Sequence, residues 1–294
     1  MQISANGIAI EVEDHGSPAG EPLLLIMGLG MQLVAWPAEF VDSLVARGFR
    51  VIRFDNRDIG LSQRFDELGV PNLAIDVLKH AVGIKSRSAY TIADMADDAA
   101  GVLDALGIPA AHICGASMGG MIAQHLAARH PQKVKSLTLM MTSSGSRQLP
   151  GPSLIVRRAL ISRPVDPHDV PSIVEHYVRL YRLIGSPAFP PTEANLRERL
   201  NLSVRRSYRP HGTTRQTAAI IADGNRTKML AHLRVPTQII HGRDDPLIPM
   251  AAGPDLAAKI PGATIDVIDG MGHDLPMALW PRFVAGIAAA ASRA

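Results

Sequence analysis

The chain has 294 residues, of which 47% are hydrophobic, and this composition excludes a disordered protein and is enough for one large α/β domain or a domain with an insertion. A formal net charge of +3 is too small to indicate nucleic-acid binding, and no basic motif with interleaved aromatic residues accompanies it. The N-terminus lacks the regions of a signal peptide, no apolar run of about 18 residues can span a membrane, and the single cysteine, Cys114, excludes an intramolecular disulfide. We therefore expect a cytoplasmic protein that binds neither nucleic acid nor a membrane.

The first predicted elements are a hairpin and a buried strand. Residues 3–13 alternate between apolar and polar side chains around Asn6-Gly7, a typical hairpin turn, and indicate a ribbon at a sheet edge. Residues 23–27 are continuously apolar, as in a central strand covered on both faces, and lead into Gly28-Leu29-Gly30. Such a glycine-rich exit leaves backbone N–H groups free at the carboxyl edge of a sheet, where ligands bind. The N–H of Leu29 is therefore a candidate oxyanion donor, the alternative being an ordinary glycine turn.

A helix over 36–47 and a strand over 50–54 follow, and the strand runs into a polar segment over 55–62. We interpret this segment as structural rather than catalytic, with charge-assisted hydrogen bonds that tie loops together. Three of its side chains are suited to that role: Asp55, Arg57 and Asp58. Residues 65–88, weakly helical over 74–82, are a candidate pocket wall.

A helix over 91–106 is indicated by capping signals. Thr91 or Asp94 stands near its start, and Gly107 lies just past its end.

A Gly-x-Ser-x-Gly motif centred on Ser117 lies between an apolar strand over 112–115 and a helix over 118–130. A serine in such a turn adopts a strained backbone conformation that requires neighbours without bulk. Three glycines supply that room: Gly115, Gly119 and Gly120. The N–H of Met118 points into the same space at the helix N-terminus, where an oxyanion is favoured. The motif alone also occurs by chance, but its strand-turn-helix context favours a nucleophile.

The composition changes after a strand predicted over 134–141. From 146 to 234 prolines multiply, central-strand patterns disappear, and helical pieces such as 173–184 and 193–203 take over, which indicates an inserted helical cap. This stretch carries 15 lysines and arginines against 6 aspartates and glutamates. The surplus would either attract anionic substrates or lie on a solvated outer face.

The α/β pattern then resumes with strands over 237–241 and 265–268 and a closing helix over 280–291. We accordingly divide the chain into a core domain of residues 1–145 and 235–294 and a cap of residues 146–234.

A serine hydroxyl needs a base within about 2.6 to 3.2 Å and a third group to orient that base. His273 is the best candidate base, because it lies in a glycine-rich loop after the last strand. Asp244 and Asp245 both follow a predicted strand, and we favour Asp245 because Pro246 fixes the exit of the chain and leaves Asp244 to face solvent. The chain order is serine, aspartate, histidine, as expected of one hydrolase arrangement.

Five motifs together resemble the α/β-hydrolase superfamily over nearly the whole chain, least in the cap. They are Met27-Gly28-Leu29-Gly30, Asp55 to Ser62, Gly115 to Gly119, Asp245 to Pro249 and Gly270-Met271-Gly272-His273. Within the superfamily the chain is similar to carboxylesterases of the aclacinomycin methylesterase type, in which methionine likewise precedes the oxyanion glycine. The resemblance implies an α/β fold with a mostly parallel central sheet flanked by helices, and a cap inserted after its sixth strand. It further implies a catalytic triad of Ser117, Asp245 and His273, with the N–H groups of Leu29 and Met118 as the oxyanion hole.

The activity expected from these residues is hydrolysis of carboxylic esters of small to medium hydrophobic substrates through an acyl-enzyme, without metal or organic cofactor. Apolar residues around the motifs are candidates for the substrate pocket: Gly28, Met31, Trp36, Met118, Met271, Tyr177 and Tyr181. Lactone hydrolysis, carbon–carbon bond hydrolysis and cofactor-free haloperoxidase or perhydrolase chemistry on the same triad stay open, because fold and triad are shared. A ligand receptor is the non-enzymatic alternative, although a receptor needs no intact triad. The oligomeric state, monomer or dimer, is left open.

Overall fold

The computed structural model describes residues 1–81, 84 and 86–294. Its sheet has eight strands: β1 (Gln2–Ala5), β2 (Ile8–His15), β3 (Glu21–Ile26), β4 (Phe49–Phe54), β5 (Ala111–Ala116), β6 (Val134–Met140), β7 (Thr237–Gly242) and β8 (Thr264–Ile268). The strands lie in the order β1-β2-β4-β3-β5-β6-β7-β8, and all neighbours from β4 to β8 pair in parallel. From β3 the chain adds β4 on one side and then returns to add β5 on the other side, so the strand order reverses at β3 and β5. Ligands of open α/β sheets bind at such a point.

The helices in the described part of the chain are α1 (Ala38–Val45), α2 (Leu73–Ala81), α3 (Ile92–Ala105), α4 (Met118–Arg129), α5 (Leu154–Ile161), α6 (Val170–Ile184), α7 (Glu193–Arg206), α8 (Pro210–Asp223), α9 (Thr227–Leu230), α10 (Ala252–Lys259) and α11 (Trp280–Ala291). None of these described helices is both long and apolar enough to cross a membrane. The helix predicted over 74–82 corresponds to α2, and Val82 lies outside the described residues.

The predicted hairpin is confirmed as the antiparallel pair β1 and β2, with β1 at the sheet edge. Asn6 and Gly7 have φ angles of 51° and 76°, the left-handed conformation that a tight two-residue hairpin turn requires. Asparagine and glycine adopt it at little cost, so the turn sets the pairing register.

The helix predicted over 91–106 is α3, and Thr91 rather than Asp94 is its N-cap. The Thr91 hydroxyl accepts from the backbone N–H of Asp94, and the Asp94 carboxylate accepts from the N–H of Thr91. This reciprocal pair satisfies two N–H groups that a helix start otherwise leaves free.

Two apolar layers enclose the sheet. Helices α3, α4 and α10 pack on one face, and α1 and α11 pack on the other. Residues Leu23 to Ile26 of β3 lie between the layers with no solvent exposure, as the continuous apolar run predicts.

Five helices, α5 to α9, form an insertion between β6 and β7, which we call the helical insertion. The start of α6 at Val170 precedes the predicted residue 173, because the Asp169 carboxylate accepts from the N–H of Ser172 and Pro171 fits the first turn. The insertion has its own small core between α6 and α7. The division of the chain at residues 146 and 234 stays a prediction.

The polar segment after β4 fastens loops and helices together, in agreement with the structural interpretation. The Arg57 guanidinium donates to both oxygens of Asp98 on α3. Asp58 accepts from the fully buried Arg215 on α8, and Asp55 accepts from Arg206 on α7. Two of these ion pairs therefore join the helical insertion to the sheet.

Candidate active site

Ser117 lies in the turn between β5 and α4 with φ 54° and ψ −120°, a backbone conformation that residues other than glycine rarely adopt. Its N–H donates to the carbonyl of Met140 on β6, at 2.9 Å. A Cβ atom added to Gly115 would lie 2.3 Å from the carbonyl oxygen of Gly119, and one added to Gly119 would lie 2.0 Å from that of Ile26. The close approach of β3, β5 and α4 therefore requires glycine at these two positions of the motif.

The structure brings Ser117, His273 and Asp245 together. The distance from His273 Nε2 to Ser117 Oγ is 3.0 Å, and the distance from His273 Nδ1 to Asp245 Oδ2 is 2.7 Å. An ionised carboxylate only accepts, so Nδ1 carries the proton and the lone pair of Nε2 receives the hydrogen bond of the serine hydroxyl. This is the tautomer that a general base for serine requires.

Asp245 is held in place by its own loop. Its Oδ1 accepts from the backbone N–H groups of Leu247 and Ile248, at 2.9 and 2.8 Å, and its side chain is buried. Asp244 is exposed and accepts from the N–H of Gly270 instead. Of the two candidates, Asp245 is therefore the one that contacts His273, and its role as the acid that orients the histidine stays a prediction.

The assignment of the oxyanion hole to the backbone N–H groups of Leu29 and Met118 stays a prediction. Met118 is the first residue of α4, where a helix leaves the N–H without an intrahelical acceptor. Leu29 follows Gly28, where an added Cβ atom would lie 3.1 Å from Ser117 Cβ. The loop that carries Leu29 is fixed at both ends, because Asn56 donates to the carbonyl of Met27 and the N–H of Gly30 donates to Gln216.

A cavity of about 2640 Å³ opens above Ser117 between the sheet and the helical insertion. Four of the predicted pocket residues line it: Gly28, Met31, Tyr177 and Tyr181. The Tyr181 hydroxyl donates to the sulfur of Met31 at 3.5 Å, and burial raises the pKa of this tyrosine, which stays neutral. The wall is largely apolar, and residues 70–74 of the predicted pocket segment contribute to it.

Three of the predicted pocket side chains do not line this cavity in the described part of the chain. Trp36 is fully buried and stacks on Phe40 of α1, with ring centroids 5.8 Å apart. Met271 is fully buried in the same apolar layer, under α11. Met118 directs its side chain into the opposite layer. These predictions were wrong because large apolar residues beside the catalytic loops fill the core beneath those loops.

Sequence reasoning missed three polar residues around the triad. His241, assigned only to a strand, lies fully buried on β7 with Nε2 4.0 Å from Asp245 Oδ2. Ser186 and Asp274 meet beside His273, where burial raises the pKa of the Asp274 carboxyl. Asp274 follows the histidine directly, and this was the signal available in the sequence. Nothing in the sequence marked Ser186, which lies in the helical insertion.

Ser117, His273 and Asp245 thus lie within hydrogen-bond reach of one another beside a largely apolar cavity. This arrangement is suited to a hydrolase that uses a serine nucleophile. Comparison with known proteins agrees with this class. The family described as alpha/beta hydrolase fold matches residues 21–277, and the chain belongs to this family.

Two relatives and one solved structure illustrate the likeness. Rhodomycin D methylesterase DauP of Streptomyces sp. (strain C5) is 30% identical over 98% of this chain and 96% of its own length. The 2-hydroxymuconate semialdehyde hydrolase of Pseudomonas sp. (strain CF600) is 31% identical over 92% of this chain and 86% of its own length. The meta-cleavage product hydrolase CumD of Pseudomonas fluorescens IP01 superposes with a TM-score of 0.76 at 21% identity, covering 100% of this chain and 97% of that chain. The chain is therefore an enzyme of the hydrolase family, and its methylesterase relative supports the expectation of an ester hydrolase.

Proposed function

We propose that this enzyme hydrolyses carboxylic esters of hydrophobic substrates through an acyl-enzyme on Ser117. The observation that carries the proposal is the continuous hydrogen-bonded chain from Ser117 Oγ through His273 to Asp245. His273 takes the hydroxyl proton while Ser117 attacks the ester carbonyl, and the protonated imidazole then gives that proton to the departing alcohol. Water activated by the same nitrogen releases the acid and restores the serine.

Three further groups act on charge that develops during the reaction. The N–H groups of Leu29 and Met118 donate to the oxyanion, and loss of one such donor in a comparable site costs roughly 2.7 to 4 kcal/mol. Asp245 keeps the imidazole in its productive tautomer and stabilises the imidazolium.

The size of the cavity supports a substrate larger than the small to medium esters expected from the sequence. Ligand pockets usually measure about 300 to 1,000 Å³, and the cavity above Ser117 measures about 2640 Å³. Its largely apolar wall favours a bulky hydrophobic body beside the ester. The name of the relative, rhodomycin D methylesterase, supports a methyl ester as the bond that is cleaved.

Carbon–carbon bond hydrolysis is the second candidate. It is favoured by the 31% identity to the 2-hydroxymuconate semialdehyde hydrolase, because one fold can carry several hydrolytic reactions. Parallel assays on an aryl ester, a lactone, a carbon–carbon hydrolase substrate and a peracid reaction rank the alternatives.

The test of the proposal is intact mass after treatment with a small fluorophosphonate, together with hydrolysis of p-nitrophenyl acetate. Wild type is expected to gain one adduct and to turn over the ester, and Ser117→Ala is expected to lose both. Ser43→Ala is the matched control, since Ser43 Oγ donates to the carbonyl of Glu39 within α1. A folded wild type without adduct or turnover would favour a ligand receptor, for which binding survives Ser117→Ala.

A further inference from the structure

The loop that carries His273, residues 270–274, is fastened to one segment of the helical insertion, residues 184–188, which comprises the last residue of α6 and the start of the loop to α7. The backbone N–H of His273 donates to the carbonyl of Ile184 at 2.7 Å. The N–H of Ala188 donates to the carbonyl of Gly270 at 3.2 Å. The insertion therefore holds the histidine residue itself, in addition to covering the site.

Ser186 makes the side-chain contacts of this junction. Its hydroxyl oxygen accepts from the N–H of Gly272 at 2.9 Å and donates to Asp274 Oδ1. Its own N–H donates to the same carboxylate oxygen at 3.1 Å. One buried hydroxyl thus bridges the residues on both sides of His273, and its only hydrogen-bond partners in the described chain belong to that loop.

The glycines of the loop are explained by the same junction. A Cβ atom added to Gly272 would lie 2.3 Å from the carbonyl oxygen of Gly185, and one added to Gly270 would lie 2.3 Å from Cβ of Ala188. Both distances are shorter than real Cβ contacts allow. The approach of the insertion therefore requires glycine at both positions of the Gly-x-Gly-His pattern, and at Gly270 the φ angle of 75° requires it as well.

We infer that Ser186 is a positioning residue for the catalytic histidine, and that the helical insertion assembles the active site through it. This inference rests on the proposed function. Ser186 does not line the cavity, so it acts through the loop and not on substrate. Asp245 fixes one edge of the imidazole, but the position of Nε2 relative to Ser117 also depends on the backbone of residues 272–274. Misplacement of a catalytic group by about 1 Å can cost roughly 100-fold in rate.

The experiment compares Ser186→Ala with Ser207→Ala on p-nitrophenyl ester hydrolysis. Ser207 is the matched control, because its hydroxyl also joins the insertion to the core, donating to the carbonyl of Gly60 at 2.8 Å, away from the histidine loop. We expect Ser186→Ala to lower kcat by about 10- to 100-fold with KM changed less than about two-fold. Ser207→Ala is expected to keep both constants near those of wild type.

Asp274→Ala removes the partner of Ser186 from the other side and supplies a second variant if Ser186→Ala folds poorly. Because Asp274 itself lines the cavity, KM is measured for this variant to separate a substrate contact from positioning. If the two residues act as one unit, the double variant loses less activity than the product of the two single losses. Equal kcat for Ser186→Ala and wild type, multiplicative losses, or a change confined to KM would each overturn the inference while the esterase proposal stands. A wild type without turnover or fluorophosphonate adduct would overturn both.

Discussion

His241 shows how a residue outside the triad is forced into one charge state. Its Nε2 donates to the carbonyl of Ile248 at 2.8 Å, and its Nδ1 is buried without a hydrogen-bond partner among the residues that the structure describes. Protonation would place a charge and an unsatisfied N–H in the core. Burial accordingly lowers the pKa of His241 from 6.5, an effect that outweighs the opposing contributions of Ile248 and the nearby Asp245.

The lowered pKa predicts a loss of stability on acidification. Well above pH 6.5 the imidazole is neutral in both the folded and the unfolded chain. As the pH falls below 6.5, the unfolded chain binds a proton that the folded chain still refuses, so the free energy of unfolding falls. The variant His241→Gln does not titrate, and its amide can still donate to the carbonyl of Ile248. Between pH 7.5 and 5.5, its free energy of unfolding should fall by about 1 kcal/mol less than that of the wild type.

Urea unfolding of both proteins at the two pH values measures this difference. The data at pH 7.5 are the internal control, since they report any change in packing separately from proton binding. His112, whose pKa burial also lowers, stays in both proteins and cancels in the comparison. An acid-induced loss of the same size in the variant and wild type would show that His241 accepts its proton in the folded state.

At the scale of elements, a buried ion pair joins α7 to the end of β4, whereas the ion pairs on the outer face of α7 are exposed to solvent. Arg206 Nη1 donates to Asp55 Oδ2 at 2.7 Å and to Gln32 Oε1 at 2.7 Å. Asp55 is fully buried after β4 and also accepts from the N–H groups of Leu33 and Leu61. Burial raises the pKa of Asp55, and the Arg206 charge opposes that rise.

Arg206→Met should therefore destabilise the protein by about 3 kcal/mol, because it leaves a buried carboxylate without its cation. The matched control is Arg182→Met, which removes an ion pair to Glu193 between side chains that are about half exposed, 59% and 45%. Solvent screens such a pair, and no resolvable change is expected. Urea unfolding at neutral pH measures both. Equal stability of the two variants would mean that Asp55 takes up a proton at little cost.

At the scale of the whole molecule, the sequence predicted the framework better than the cavity. The apolar runs of β3 and β5, the hairpin turn at Asn6-Gly7 and the closing helix α11 could be predicted because each depends on local pattern and turn chemistry. The order of the triad residues along parallel strands placed them at one sheet edge. The preference for Asp245 over Asp244 depended on a single proline, and Asp245 is the one whose carboxylate lies 2.7 Å from His273 Nδ1.

Side-chain direction and contacts with the insertion could not be predicted in the same way. Trp36 and Met271 lie next to catalytic loops in the sequence, but whether they face the cavity or the core depends on how α1 and α11 pack. Ser186 meets Gly272 across a separation of 86 residues, and no local pattern encodes that contact. The role of the arginines in the insertion likewise could not be predicted from the sequence. In the structure, Arg206 and Arg215 bind carboxylates of the core.

The volume of the cavity leads to a prediction about how activity depends on the size of the acyl group. Each methylene that moves from water into an apolar site contributes about 0.8 kcal/mol, or roughly a four-fold gain in kcat/KM when fully realised. In a series of p-nitrophenyl esters from acetate to octanoate, kcat/KM should therefore rise by roughly two- to four-fold per methylene, because a cavity of about 2640 Å³ does not fill within this range. Ser117→Ala, assayed across the series, subtracts hydrolysis that does not use the nucleophile. A maximum at acetate or propionate would contradict the prediction, since it would mean that the insertion closes over Ser117 during turnover and leaves room for a small acyl group only.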